Sequence, residues 1–200
     1  MGTDWRDNDP EVEPMVEIYQ GCRQSYERPG APRSPTEQDA IGGWRPKGFV
    51  NLALLQGYKL AFESSSDHTS THISYALVYS ESRARADLLK AMRARHTYAA
   101  TDNIIADWRC GEHMQGDEFK IAQAPAFRLK LIGTAPFSKI TIVKGDVEVK
   151  TFTPNQTEVE VSWIDPNPTA GKTSYYYARG EQADGELVWA SPMWVSYEPK

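Results

Sequence analysis

From about residue 102 onward, turn-forming residues cut the chain into short β-prone runs. That rhythm limits the fold more than any other feature. Ile104 to Arg109, Ala126 to Ile132, Ile140 to Val143, Val147 to Phe152 and Val159 to Trp163 all read as strands. Tyr175 to Gln182 and Leu187 to Val195 continue the series. Between them lie Cys110-Gly111, Lys144-Gly145-Asp146, Asp165-Pro166-Asn167-Pro168 and Asp184-Gly185. The last is the strongest hairpin signal, because Asp-Gly tolerates the positive φ angles of a tight turn. Short strands with such regular punctuation predict an all-β, Ig-like sandwich over residues 103–200.

The first half follows a different grammar. Pro14 to Tyr19 predicts a buried strand closed by Gly21. A long loop rich in proline and glycine covers residues 21–45, and loops of that length tend to be functional or mobile. Pro46 is suited to the first turn of a helix reaching about Gln56, which Gly57 ends. Tyr58 to Glu63 predicts a second strand and Ile73 to Tyr79 a third. Ser80 or Ser82 can cap a helix running to about Arg95, with Ala84, Leu88, Ala91 and Met92 at helical spacing. Thr97 to Ala100 is a short further strand. Strand and helix alternate, which predicts an α/β layer with parallel strands over residues 1–102. The expected fold is thus an α+β chain in two parts, a partial α/β unit followed by the sandwich.

Composition narrows the function classes. A net charge of −5 weighs against nucleic acid. The basic residues Arg83, Arg85, Lys90, Arg93 and Arg95 read as the solvated face of one helix. Cys22 and Cys110 stand far apart in no CxxC pattern, so they predict buried thiols rather than a zinc motif. The first ten residues are polar and acidic, and no apolar run approaches a membrane span, so the chain as written is expected to be cytoplasmic.

One stretch points to chemistry. Ser64-Ser65-Ser66-Asp67-His68-Thr69-Ser70-Thr71-His72 follows a strand-like run, and catalysis in α/β proteins sits at strand ends. Carboxylate oxygen and imidazole nitrogen both suit zinc, manganese or iron. Asp67, His68 and His72 are therefore candidate metal ligands; the bland alternative is a capped turn with locally bonded histidines. Glu17, on the first strand, could point toward such a site or form a buried pair. His113 lies beside Glu112, Asp117 and Glu118 near a hairpin tip, where a solvated turn competes with a cation site. His96 reads as a helix C-terminal cap. Gly171-Lys172-Thr173 is rejected as a phosphate loop, since Pro166 occupies the required glycine position and a strand follows. Trp163, Tyr175, Tyr177, Trp189 and Trp194 could stack sugars, but alternation along strands makes most of them core. Asn155-Gln156-Thr157 fits a glycosylation acceptor pattern.

Several of these residues carry a family resemblance. Ser65-Ser66-Asp67-His68, His72-Ile73-Ser74-Tyr75, Arg95-His96-Thr97-Tyr98-Ala99-Ala100-Thr101 and Trp189-Ala190-Ser191-Pro192-Met193-Trp194-Val195 resemble the last part of PHP-type (polymerase and histidinol phosphatase) metal-dependent hydrolases with a β-sandwich tail. The resemblance implies a distorted (βα)7, TIM-like barrel whose strand ends bind divalent metals that activate water against esters. It implies Asp67 and His68 as catalytic metal ligands, with His72 a weaker match. The pattern departs in two ways: Asp67 and His68 lack the usual spacer, and no His-x-His segment precedes them. The expectation is a C-terminal fragment of such a hydrolase, inactive alone, with residues 1–102 a barrel remnant. The alternative is a non-catalytic β-sandwich module for interaction or carbohydrate binding. A partial barrel would leave sheet edges and apolar faces uncovered, which predicts a homo-oligomer formed through residues 10–100.

Overall fold

The computed structural model describes residues 4–68 and 72–199. The first strand, β1 (Met15–Gln20), leads through the long loop to a 3-10 turn (Pro46–Gly48) and helix α1 (Val50–Leu55). Then come β2 (Ala61–Ser65), β3 (Tyr75–Val78), helix α2 (Arg85–Arg93) and β4 (Thr97–Ala100). The remainder is strand: β5 (Ile105–Cys110), β6 (His113–Met114), β7 (Glu118–Ile121), β8 (Ala126–Lys144), β9 (Val147–Phe152), β10 (Gln156–Ile164), β11 (Thr173–Gln182) and β12 (Leu187–Tyr197). No helix among the described residues is long and apolar enough to cross a membrane.

Ten strands form one curled sheet along the path β3-β4-β12-β11-β8-β5-β6, with β9 and β10 also on β8 and β7 on β12. The curl turns on β8, which runs 19 residues. Its first half pairs with β5 and β10 and its second half with β9 and β11. Trp108, Phe127, Leu129, Leu131, Ile142 and Tyr176 fill the inside of the curl. The outer face of β11 and β12 is buried as well. Tyr175, Tyr177, Trp189 and Trp194 pack there against Ile18, Val50, Leu54 and Phe62 from the first sixty-two residues. Burial on both faces explains why β12 reads as a nearly continuous apolar run, whereas β11 carries Arg179 into the interior paired. A bulge at Ser191-Pro192, opposite Tyr177, resets the alternation so that Trp189 and Trp194 share a face.

Glu27 fastens the long loop to this outer face. Its carboxylate accepts hydrogen bonds from Tyr177 (2.7 Å), Arg179 (2.6 Å) and Trp189 (2.6 Å). Both charged partners are buried, and each is satisfied, as a buried pair requires.

The expected barrel remnant is not there. β3 and β4 pair antiparallel, and β4 joins β12 antiparallel, inside the same sheet as the sandwich strands. Among the described residues of 1–102, β1 and β2 alone pair parallel; the other parallel pair, β7 with β12, lies in the large sheet. The reason lies in α2. A barrel helix must bury an apolar stripe on the sheet, whereas α2 buries only Ala91 among its residues. Alternating element types in a sequence do not fix strand direction. A helix can bridge antiparallel neighbours without crossing the sheet, and this one does. The chain is nearly all-β, with one large curled sheet, rather than an α+β molecule in two parts.

Candidate functional site

Of the residues nominated by sequence, Glu17, Asp67 and His68 gather around the Ser65 end of β2, whereas His113 lies elsewhere, beside β7. Asp67 follows β2 with a φ of 56°. One of its oxygens accepts a hydrogen bond from the Cys22 thiol (3.1 Å) and the other from the His68 backbone N–H (2.6 Å). The bond from Cys22 holds the Asp67 carboxyl below its ordinary range. His68 turns outward, 86% exposed, with its ring nitrogen 3.5 Å from Asp67. His72 is exposed, and Thr69, Ser70 and Thr71 lie outside the described residues. His113 stacks on Phe119 (3.8 Å between ring centres) and approaches Asp117 (3.6 Å). His96 bonds the same carboxylate at 2.9 Å, so it ties the end of α2 to the segment before β7 rather than capping the helix. Among the described residues, no three His, Cys, Asp or Glu side chains converge to hold a metal ion.

Glu17 accepts a hydrogen bond from the Ser65 hydroxyl and faces Glu63 across the parallel register of β1 and β2. Glu63 escaped sequence reasoning. The period of 2 could have found it, since Glu63 and Ser65 share a strand face, but the pairing partner was needed to see two carboxylates together. Burial, aided by the Glu17 charge, pushes the Glu63 carboxyl up to about 7.

Beside this pair lies a cleft of about 360 Å³ between β1 and the long loop. The loop is held by backbone bonds from Tyr26 to Ile18 (2.8 Å) and from Ser25 to Arg33 (2.9 Å). Gln24 clamps its outer turn, bonding Asp39 and Ile41. Gly42 has a φ of +81°, and a Cβ there would lie 2.3 Å from the Arg23 guanidinium, so glycine lets Arg23 close over the loop. Trp5 walls the cleft, committed through its indole N–H to Phe49 O (2.8 Å). The Tyr26 ring rests on Phe49, with 5.2 Å between ring centres.

Three lining groups are uncommitted. The Gln20 amide, the Tyr26 hydroxyl and the Arg45 guanidinium make no hydrogen bond or ion pair to any described residue. A second cleft, about 390 Å³ beside α2, is different. Its cationic and imidazole groups are already paired: Lys90 with Glu81, Arg109 with Asp107, and His96 with Asp117. The aromatic platform considered for sugar stacking does not exist as a surface. Tyr175, Tyr177, Trp189 and Trp194 are buried, and Trp163 packs along Phe127.

Comparison with known proteins gives relatives but no function. No protein-family profile matches the chain. It is 26% identical over 227 aligned residues to an uncharacterised protein of Chlamydia trachomatis serovar D, covering 98% of this chain. An uncharacterised Chlamydia muridarum protein gives the same figures, and one from Chlamydia pneumoniae is 25% identical over 224 residues. The chain spans only 36% of the length of each of these relatives. Among solved structures, a lytic polysaccharide monooxygenase from Jonesia denitrificans matches 72% of this chain and 92% of its own, at 13% identity and a TM-score of 0.31. A likeness that low carries neither fold nor chemistry across. The resemblance to PHP-type hydrolases fails on both counts: no profile of that family matches, and the strands do not build its barrel.

Proposed function

We propose that this chain is a non-catalytic β-sandwich module that binds a hydroxyl-rich ligand of carbohydrate type between β1 and the long loop. The observation that carries this reading is the set of uncommitted groups in one cleft: an amide, a phenol and a guanidinium. Pockets that bind small polar ligands combine an apolar wall with a few convergent hydrogen-bonding groups, and the volume here is near the lower end of that range. Trp5 and Val50 supply the wall, and Glu17 adds an acceptor. By contrast, Asp67, His96 and Asp117 are engaged with protein partners, and His68 is turned to solvent. The reading is tested by titrating the chain with a panel of oligosaccharides while recording amide and side-chain NMR signals. The expected result is saturable shifts centred on Gln20, Tyr26 and Arg45, weakened by Gln20→Ala and Tyr26→Phe. Shifts that map elsewhere, or none at all, would overturn the reading.

A further inference from the structure

We infer that the cleft selects saccharide units bearing a carboxylate, with Arg45 as the residue that reads the acid; this rests on the carbohydrate reading above. Complementary charge within a small space sets the selection. Three charged side chains line the cleft: Arg23, Arg45 and Glu17. Arg23 is partly answered inside the protein, with its Nε 3.9 Å from the Asp67 carboxylate and a terminal nitrogen 3.4 Å from Ile41 O. Glu17 is anchored to the Ser65 hydroxyl. Arg45 forms no ion pair with any described residue, although it shares the cleft with Glu17. A guanidinium presents a rigid fork of donors that matches a carboxylate through two parallel bonds.

The same cleft disfavours other ligand classes. A neutral sugar would satisfy Gln20, Tyr26 and Glu17 but leave Arg45 to solvent. A compact multiply charged anion would meet the Glu17 carboxylate, a like charge on the same wall. An acidic sugar matches both ends. Its carboxylate is placed on Arg45, and its ring hydroxyls donate to Glu17 and exchange bonds with Gln20 and Tyr26. Arg45 also stands at the entry to the 3-10 turn, where its backbone carbonyl accepts from Gly48 N (2.9 Å). The backbone at Arg45 is thus fixed, while its exposed side chain is left to order on a ligand.

The test uses the full chain and two ligands of one skeleton: an oligogalacturonate and the same oligomer with its carboxyls reduced to alcohols. Affinity is measured by calorimetry at neutral pH, with NMR locating the site. The acidic oligomer is expected to bind roughly tenfold tighter or more, the scale of one charge-assisted bond pair. In Arg45→Gln the two oligomers are expected to bind alike. Equal binding of both by the native chain, with shifts at Gln20 and Tyr26, would overturn acid selection and leave the cleft reading standing. Discrimination that persists in Arg45→Gln would overturn the role of Arg45. If neither oligomer shifts Gln20 or Tyr26, both the inference and the reading beneath it fall.

Discussion

Glu63 shows how one half-buried acid makes stability depend on pH. The folded chain holds its proton up to about pH 7, whereas an unfolded glutamate releases it near 4.5. The folded state therefore binds the extra proton, and the contribution of Glu63 is full below about 4.5 and is lost as pH rises through 7. Glu63→Gln stays neutral throughout. It is expected to be more stable than the native chain by about 1–2 kcal/mol at pH 8, a value held down by partial solvent screening, and to show no such gain near pH 4. Urea midpoints at the two pH values check this; an equal effect at both would refute it. Glu27 is the opposite case, an acid whose charge is fully answered. Glu27→Gln would leave the Arg179 guanidinium, 1% exposed, without its nearest counter-charge. Because Glu148 (2.9 Å) and Glu181 (3.3 Å) remain, the expected cost is about 2–3 kcal/mol, read from chemical denaturation. Neither acid could be ranked from sequence. Their surroundings come from strands and loops far apart in the chain.

At the scale of elements, much was legible. The Asp184-Gly185 turn joins β11 to β12 with Gly185 at a φ of +89°, as that dipeptide predicts. Pro46 opens the 3-10 turn before α1. The strands before and after residue 133 are the instructive departure. Sequence separates Ala126 to Ile132 from Ile140 to Val143. In the fold they are one strand, β8, and a side chain mends the gap. The Gln182 amide oxygen accepts from Thr134 N (2.9 Å) and Ala135 N (3.3 Å), standing in for ladder partners. Gly133 makes room for it, since a Cβ there would lie 2.1 Å from that oxygen and 2.9 Å from Ala135 O. Gly133→Ala is accordingly expected to destabilise by about 1–3 kcal/mol, measured as a lowered midpoint in urea. A neutral effect would mean that β8 bends by other means.

For the molecule as a whole, the decisive fact is that β11 and β12 are covered on both sides. One face looks into the curl, and the other receives β1, β2 and α1. A chain beginning at Asn103 would lose that cover along with β3 and β4, and would expose Tyr177, Trp189 and Trp194. We expect it to lose near-ultraviolet circular dichroism and bind hydrophobic dyes; sharp, cooperative unfolding of that truncation would argue for an independent C-terminal domain. By itself, the sequence determined where strands begin and turn, because β propensity and glycine stereochemistry act within a few residues. It also determined that most of the tyrosines and tryptophans near the C-terminus belong to a core, because alternate residues along a strand face inward. Strand direction, the continuity of β8, the meeting of Glu17 with Glu63 and the cleft over β1 were decided by tertiary structure alone. Each depends on which distant segment arrives as a neighbour, and that is set by packing the whole chain at once.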